Sequence, residues 1–277
     1  MEISLIFLFF LNIILWVIII FNFKVGDIVS RKSYNNDIIF KILNIKNGIA
    51  FLKGVDLRIF ADSSIDDLIL SKNNNDDELI IEKNLQDMSF NRDNYFYLPG
   101  KILHIDGDDD YLDRCMNFYK KLDIKANGLT IKEETIHKNI YTLLNKFKPD
   151  ILVITGHDAF YNRDNKKNLD NYLNSKFFIS AIKEARKYEK NQDKLIIIAG
   201  ACQSNYEELI RAGANFASSP KRINIHALDP SIIASSIAFS EKSKPIDLIN
   251  MINKTKYGSD GIGGIITNGT MYVGFPR

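Results

Sequence analysis

Three strand-like segments, KILHID at 101–106, DILVIT at 150–155 and KLIIIAGA at 194–201, recur along the second half of the chain, and a stretch with helical spacing follows each. Strands so short and so apolar are buried on both faces, and intervening helices bring each strand in parallel to the last. The first helix, DDYLDRCMNFYKKL, carries Leu112, Cys115, Met116 and Tyr119 at helical intervals, which places Cys115 on its buried face. KEETIHKNIYTLLNKF, ended by Pro149, is the second. LDNYLNSKFFISAIKEARKY is the third, and a fourth runs from Ser204 to a stop at Gly213. PSIIASSIAFSEK and PIDLINMINKTK are further helices with proline at their starts, and GIITNGTMYVGF, with its Asn268-Gly269 turn, is expected to close the chain as a hairpin. The fold class for residues 97–277 is therefore α/β, a parallel sheet flanked by helices in three layers.

The chain ahead of this domain falls into three parts. Residues 24–60, with short strand-favouring runs broken by Asn-Asn, Asn-Gly and Lys-Gly, are expected to form a small SH3-like β-barrel. Residues 61–96 carry nine acids against three bases and are expected to be an acidic linker. Residues 3–23 are 21 uncharged residues, close to the roughly 20 that span a bilayer as a helix. The segment 1–23 has two readings: a membrane anchor with Lys24, Arg31 and Lys32 holding the rest of the chain in the cytoplasm, or a misassigned start upstream of the true first residue.

Charge narrows the function. With 36 basic and 34 acidic residues the net charge is +2, which gives no basic stripe for nucleic acid. Two cysteines, Cys115 and Cys202, make no disulfide framework. Neither Cys nor His occurs at ligand spacing, so no metal or other cofactor is expected.

In parallel sheets the working groups gather at the carboxyl ends of the strands. DILVIT leads into Gly156, His157 and Asp158, and LIIIAGA leads into Cys202. Successive parallel strands commonly lie side by side, about 4.8 Å apart, so an imidazole and a thiol would meet at one rim. A nearby imidazole makes the thiolate available near neutral pH, and the positive end of the helix expected at Ser204 favours it too. Backbone N–H groups of Gly156, Asp158 and Cys202 are the expected donors to a tetrahedral oxyanion. A lone strand-end Cys or His is ordinarily packing; the two at consecutive strand ends point to nucleophile and base. His104, within a strand, reads as a core residue, His137 as exposed on a polar helix, and His226 as a weaker candidate from a third strand.

The pair resembles the sites of the caspase, legumain and clostripain group, with one departure: that group has His-Gly, whereas here Gly156 precedes His157 and Asp158 follows it. FKVGDIVSRKSY, LHIDGDDDYL, KPDILVITGHD, AGACQSNYEELIRAGANFASSPKRINIHALDP and GIGGI, in that order, are similar to the YabG family, the sporulation-specific peptidases of spore-forming bacteria. The resemblance implies a cysteine peptidase that cuts spore-coat and germination precursor proteins after arginine, made in the mother-cell cytoplasm and acting on the spore coat. It puts the catalytic pair on His157 and Cys202. Family members begin near FKVGD, which favours the misassigned start. Guanidinium needs a carboxylate; Asp106 and Asp108 are the leading candidates for the arginine pocket, with Asp158 and Asp260 behind them. Arg92, the lone arginine of the linker, is a candidate self-cleavage point.

Two rivals stand beside the peptidase. A receiver-like or flavodoxin-like signalling module fits the acids of HIDGDDDYL, yet Thr155, Gly156 and His157 occupy the place where a receiver needs its phosphate-accepting Asp. The other rival is a structural spore-coat protein with an inert site.

Overall fold

A computed structural model describes residues 23–72, 76–86, 94–161 and 165–276. The apolar segment expected to be an anchor or an upstream extension lies outside these residues up to Asn22, as does Arg92. No helix among the described residues is long and apolar enough to cross a membrane. The chain divides into two compact units, split between residues 74 and 75.

The first unit is a five-stranded antiparallel sheet of β1 (Ile28–Arg31), β2 (Phe40–Lys46), β3 (Ile49–Gly54), β4 (Phe60–Ser64) and β5 (Leu68–Leu70), in the order β4-β3-β2-β1-β5. The β-structure expected here is present as this antiparallel sheet, without showing the closure of the SH3-like barrel expected from the sequence. The Asn47-Gly48 turn signal is realised: both residues have positive φ, +52° and +77°, as a tight turn between twisted strands requires. Val29, Phe40, Ile42, Ala50, Leu52 and Leu68 alternate inward and form the core. β4 and β5 come from the stretch expected to be a linker. In β4 Asp62 points outward between half-buried Ala61 and Ser63, and a 3-10 turn over Ile65–Asp67 carries the other two acids, so residues 60–64 and 68–70 pair as strands despite the charge.

The second unit runs α1 (Asp77–Gln86), β6 (Phe96–Leu98), β7 (Ile102–Asp106), α2 (Asp109–Lys121), β8 (Ala126–Thr130), α3 (Glu133–Phe147), β9 (Ile151–Thr155), α4 (Ser175–Tyr188), β10 (Ile196–Ala199), α5 (Tyr206–Ala212), β11 (Phe216–Ser218), α6 (Asp229–Ala238), α7 (Leu248–Asn253), β12 (Ile262–Gly264) and β13 (Tyr272–Gly274). Its six-stranded sheet has the order β12-β11-β10-β9-β7-β8, parallel except for β12. The expected α/β class is present, as a mixed and largely parallel sheet.

Period two explains the three layers. Ile102, Ile151, Val153, Ile196 and Ile198 point to one face, where Cys115, Phe118 and Tyr119 of α2 and Ile233 and Ile237 of α6 cover them. Leu103, Ile105, Leu152, Ile154 and Ile197 point to the other, against Ile136, Ile140 and Leu144 of α3 and Phe178 and Ile182 of α4. The chain steps from β7 outward to β8, then returns past β7 to β9 and continues the other way. Right-handed crossovers then force the covering helices to change face at that reversal. The crevice between β7 and β9 is the topological switch point, where doubly wound sheets carry their ligands. Arg186 of α4 pins the far end of the sheet: its guanidinium donates to the carbonyls of Gly213 and Leu195 and to Asn215 Oδ1, and burial lowers its pKa to about 10.

The expected closing hairpin does not form. β12 pairs with β11 and β13 with β6, and the Asn268-Gly269 turn instead seats on residues 240–244, with Gly269 N donating to the Lys244 carbonyl. A side chain at Gly269 would meet the Ser240 carbonyl oxygen at 2.0 Å, so the glycine serves close approach.

Candidate active site

The carboxyl rim of the sheet carries, in spatial order, the turns after β7, β9, β10 and β11. Register places Asp106 beside Thr155 and Ile154 beside Ala199, so the turns bearing Asp108, His157 and Cys202 leave three adjacent strands.

Three hydrogen bonds and one ring contact hold His157. Its N–H donates to Glu133 Oε1 at 2.8 Å, its carbonyl accepts from Asn174 Nδ2 at 2.8 Å, and Nε2 lies 2.9 Å from Asp108 Oδ2. The Tyr111 ring stands 5.7 Å from the imidazole. Glu133, the first residue of α3, belongs to no motif of its own in the sequence. Its carboxylate fits only because Gly107 and Gly156 lack side chains: a methyl group at either would lie 2.2 and 2.4 Å from Oε1. Two glycines just past neighbouring strand ends, with a glutamate opening the helix between them, were the available clue.

Cys202 sits in a tight turn between β10 and α5. Gly200 and Gln203 have φ of +109° and +59°, conformations that cost free energy and persist where the surroundings enforce them. The enforcing bonds run from Gln203 N to the Ile223 carbonyl and Ser219 Oγ, and from Ala201 N to Ser204 Oγ at 2.9 Å. Cys202 is 1% exposed, and Ile225 N donates to Sγ at 3.2 Å. α5 begins at Tyr206, later than expected, because Asn205 is its cap and Ser204 is spent on the turn.

Asp158 joins the two turns. Oδ1 accepts from Ala159 N and Asn174 N, and Oδ2 from Ser175 Oγ at 2.5 Å and Ser204 Oγ at 2.9 Å. Ser204 in turn receives Ala201 N, so one carboxylate fixes the His157 turn against the Cys202 turn. Burial pushes its pKa up, opposed by the hydrogen bonds from Ser175, Asn174 and Ser204.

Among the expected oxyanion donors, Gly156 and Asp158 flank an amide already committed, that of His157, and Cys202 lies between the committed amides of Ala201 and Gln203. The acids expected to bind arginine are placed quite differently from one another. Asp106 is 0% exposed and accepts from Thr155 Oγ1 at 2.7 Å and Asp108 N at 3.0 Å, so it belongs to the interior. Asp108 faces His157, and Asp158 is buried. Asp260 is exposed, its backbone carbonyl accepting from Lys221 N beside the 219–221 segment.

The other candidates have structural surroundings. His104 bridges Tyr119 Oη and Thr155 Oγ1 inside the core, as expected, whereas His137 is half-buried where exposure was expected. His226 shapes the turn into α6, with Nδ1 accepting from Leu228 N. Cys115 is core, its thiol directed at the Ala227 carbonyl. Thr155, at the place of a receiver's acceptor, is buried and bonded to Asp106, which leaves the receiver reading without its chemistry.

Comparison with known proteins identifies a family over most of the chain. The model of the YabG peptidase U57 family matches residues 24–88 and 71–276. The chain is 40% identical to the sporulation-specific protease YabG of Bacillus subtilis (strain 168) over 284 residues, which is 92% of this chain and 98% of the relative.

Proposed function

The chain belongs to the YabG peptidase family, and from that premise we propose that it is a cysteine endopeptidase with Cys202 as nucleophile and His157 as general base. The observation that carries this reading is the Asp158 tie: an imidazole and a thiol leave neighbouring parallel strands, and one buried carboxylate locks their two turns together.

In the first step the Cys202 proton passes to His157, sulfur bonds to the scissile carbonyl carbon, and the displaced electron pair collects on oxygen. Collapse of this tetrahedral adduct breaks the C–N bond as His157 protonates the leaving amine. His157 then takes a proton from water, the hydroxide attacks the thioester, the C–S bond breaks to free the acid product, and His157 returns the proton to the departing sulfur. Access to Sγ requires the 219–225 segment to draw back, since the Ile225 amide covers it.

Proteins are the substrates of a protease, and the relative's printed name ties it to sporulation. On this reading the substrates are spore-coat and germination precursors, cut after arginine in the mother cell and at the coat. An arginine preference calls for an exposed carboxylate at the rim, and Asp260 meets that need better than Asp106 or Asp108. Asp260→Ala is expected to lower the ratio of Arg-peptide to Gln-peptide cleavage about tenfold or more; an unchanged ratio removes Asp260 from the pocket.

Alkylation tests the nucleophile. Iodoacetamide should modify Cys202 at least about tenfold faster than the core thiol Cys115, with activity lost in proportion to the Cys202 adduct found by peptide mass mapping. Activity that survives complete modification of Cys202 would end the proposal.

A further inference from the structure

We infer that Asp108 is the positioning carboxylate of His157, fixing the imidazole with its proton on Nε2 and leaving Nδ1 as the atom that exchanges protons with the thiol. This rests on the Cys202–His157 reading above and adds a third member to it.

Asp108 caps α2, and the cap immobilises it: Oδ1 accepts from Asp110 N at 3.1 Å and Tyr111 N at 3.4 Å, while its own N–H donates to buried Asp106 Oδ1 at 3.0 Å. The second oxygen is thereby aimed across the switch-point crevice, 2.9 Å from His157 Nε2, with the two side chains 11% and 14% exposed. An ionised carboxylate only accepts hydrogen bonds, so the ring atom facing it carries the proton. In neutral imidazole the other nitrogen then holds the lone pair. When Nδ1 takes the thiol proton the ring becomes imidazolium, and Asp108 steadies that charge without receiving a proton. A base oriented by a third group is the arrangement that general-base activation of a nucleophile calls for. Backbone support from Glu133 and ring contact with Tyr111 limit the imidazole's remaining freedom.

The test separates the cap from the contact. Asp108→Asn keeps an oxygen for the two amides but turns an NH2 group toward Nε2, which must then accept, moving the ring proton to Nδ1 and removing the base. Asp108→Ser keeps a capping oxygen and withdraws from the ring. In the full chain, both are expected to keep the urea midpoint near that of the unsubstituted protein and to lower kcat by about 10²–10⁴-fold with little change in KM. In 15N NMR of the resting enzyme, His157 should show a protonated Nε2 that shifts to Nδ1 in Asp108→Asn. Unchanged kcat in both variants, or a His157 tautomer that ignores the substitution, overturns the assignment of Asp108. Turnover retained in a Cys202→Ala protein instead overturns the nucleophile, so the two failures are distinct.

Discussion

Cys202→Ala and His157→Ala are each expected to lower cleavage of a protein substrate by about 10⁴-fold or more, and the double variant should be hardly worse than either alone. The non-additivity is the informative part. If sulfur and imidazole act in one step, removing the second after the first takes away a group with nothing left to do, whereas independent contributions would multiply. Both side chains lie at strand ends beyond the sheet core, so the variants should keep the secondary structure and cooperative urea unfolding of the parent. Initial rates with far-ultraviolet circular dichroism as the control decide the matter. Turnover within tenfold of the parent in Cys202→Ala would falsify the mechanism, and a double variant far below both singles would mean that His157 acts elsewhere.

How much of this was written in the sequence depends on the range of the interactions involved. The layers were legible because ILVIT and LIIIAG spend every residue on burial, and only a sheet covered on both faces can use such a run. His157 and Cys202 were legible for the same reason, as polar groups placed just where those runs stop. The helix at Ser204 was misplaced by two residues because a serine before an apolar pattern normally caps; here its hydroxyl serves Ala201 N and Asp158, forty-six residues away. The local setting of Asp108, an acid opening a helix, makes it an arginine-pocket candidate and does not reveal that β9 returns beside β7. Contact with His157 is created by the crossover, across 49 residues. Glu133 leaves only an indirect trace in the sequence for a like reason, its slot being made by the missing side chains of Gly107 and Gly156. The acidic, Asn-rich composition of residues 61–96 reads as a linker, yet Ala61–Ser64 and Leu68–Leu70 pair as strands, since alternation rather than charge decides whether a surface strand pairs.

The second large effect falls on Asp158. Asp158→Ala strips the partner from four donors at once, Ala159 N, Asn174 N, Ser175 Oγ and Ser204 Oγ, within a buried junction. Unsatisfied buried groups of this kind cost about 1–3 kcal/mol each, though relaxation and water recover part of it, so a net loss of about 3–5 kcal/mol is expected, with cleavage lost as the two turns come apart. Asp158→Asn should be much milder, since its oxygen can serve the two amides and its NH2 group the two serine oxygens. The pair of variants also exposes the titration. Because burial raises the folded-state pKa of Asp158, the native protein holds this proton more tightly than the unfolded chain does. The stability linked to it is full below the unfolded value of about 4 and declines as pH rises through the folded value. Asparagine does not titrate, so the urea midpoint of Asp158→Asn should gain on that of the parent between about pH 4 and neutrality, with equal slopes of unfolding free energy against urea. A difference constant across that range would contradict the raised pKa. A loss below about 1 kcal/mol in Asp158→Ala would show that the two turns hold their places without the carboxylate, and the tie between His157 and Cys202 would have to be sought in other bonds of the rim.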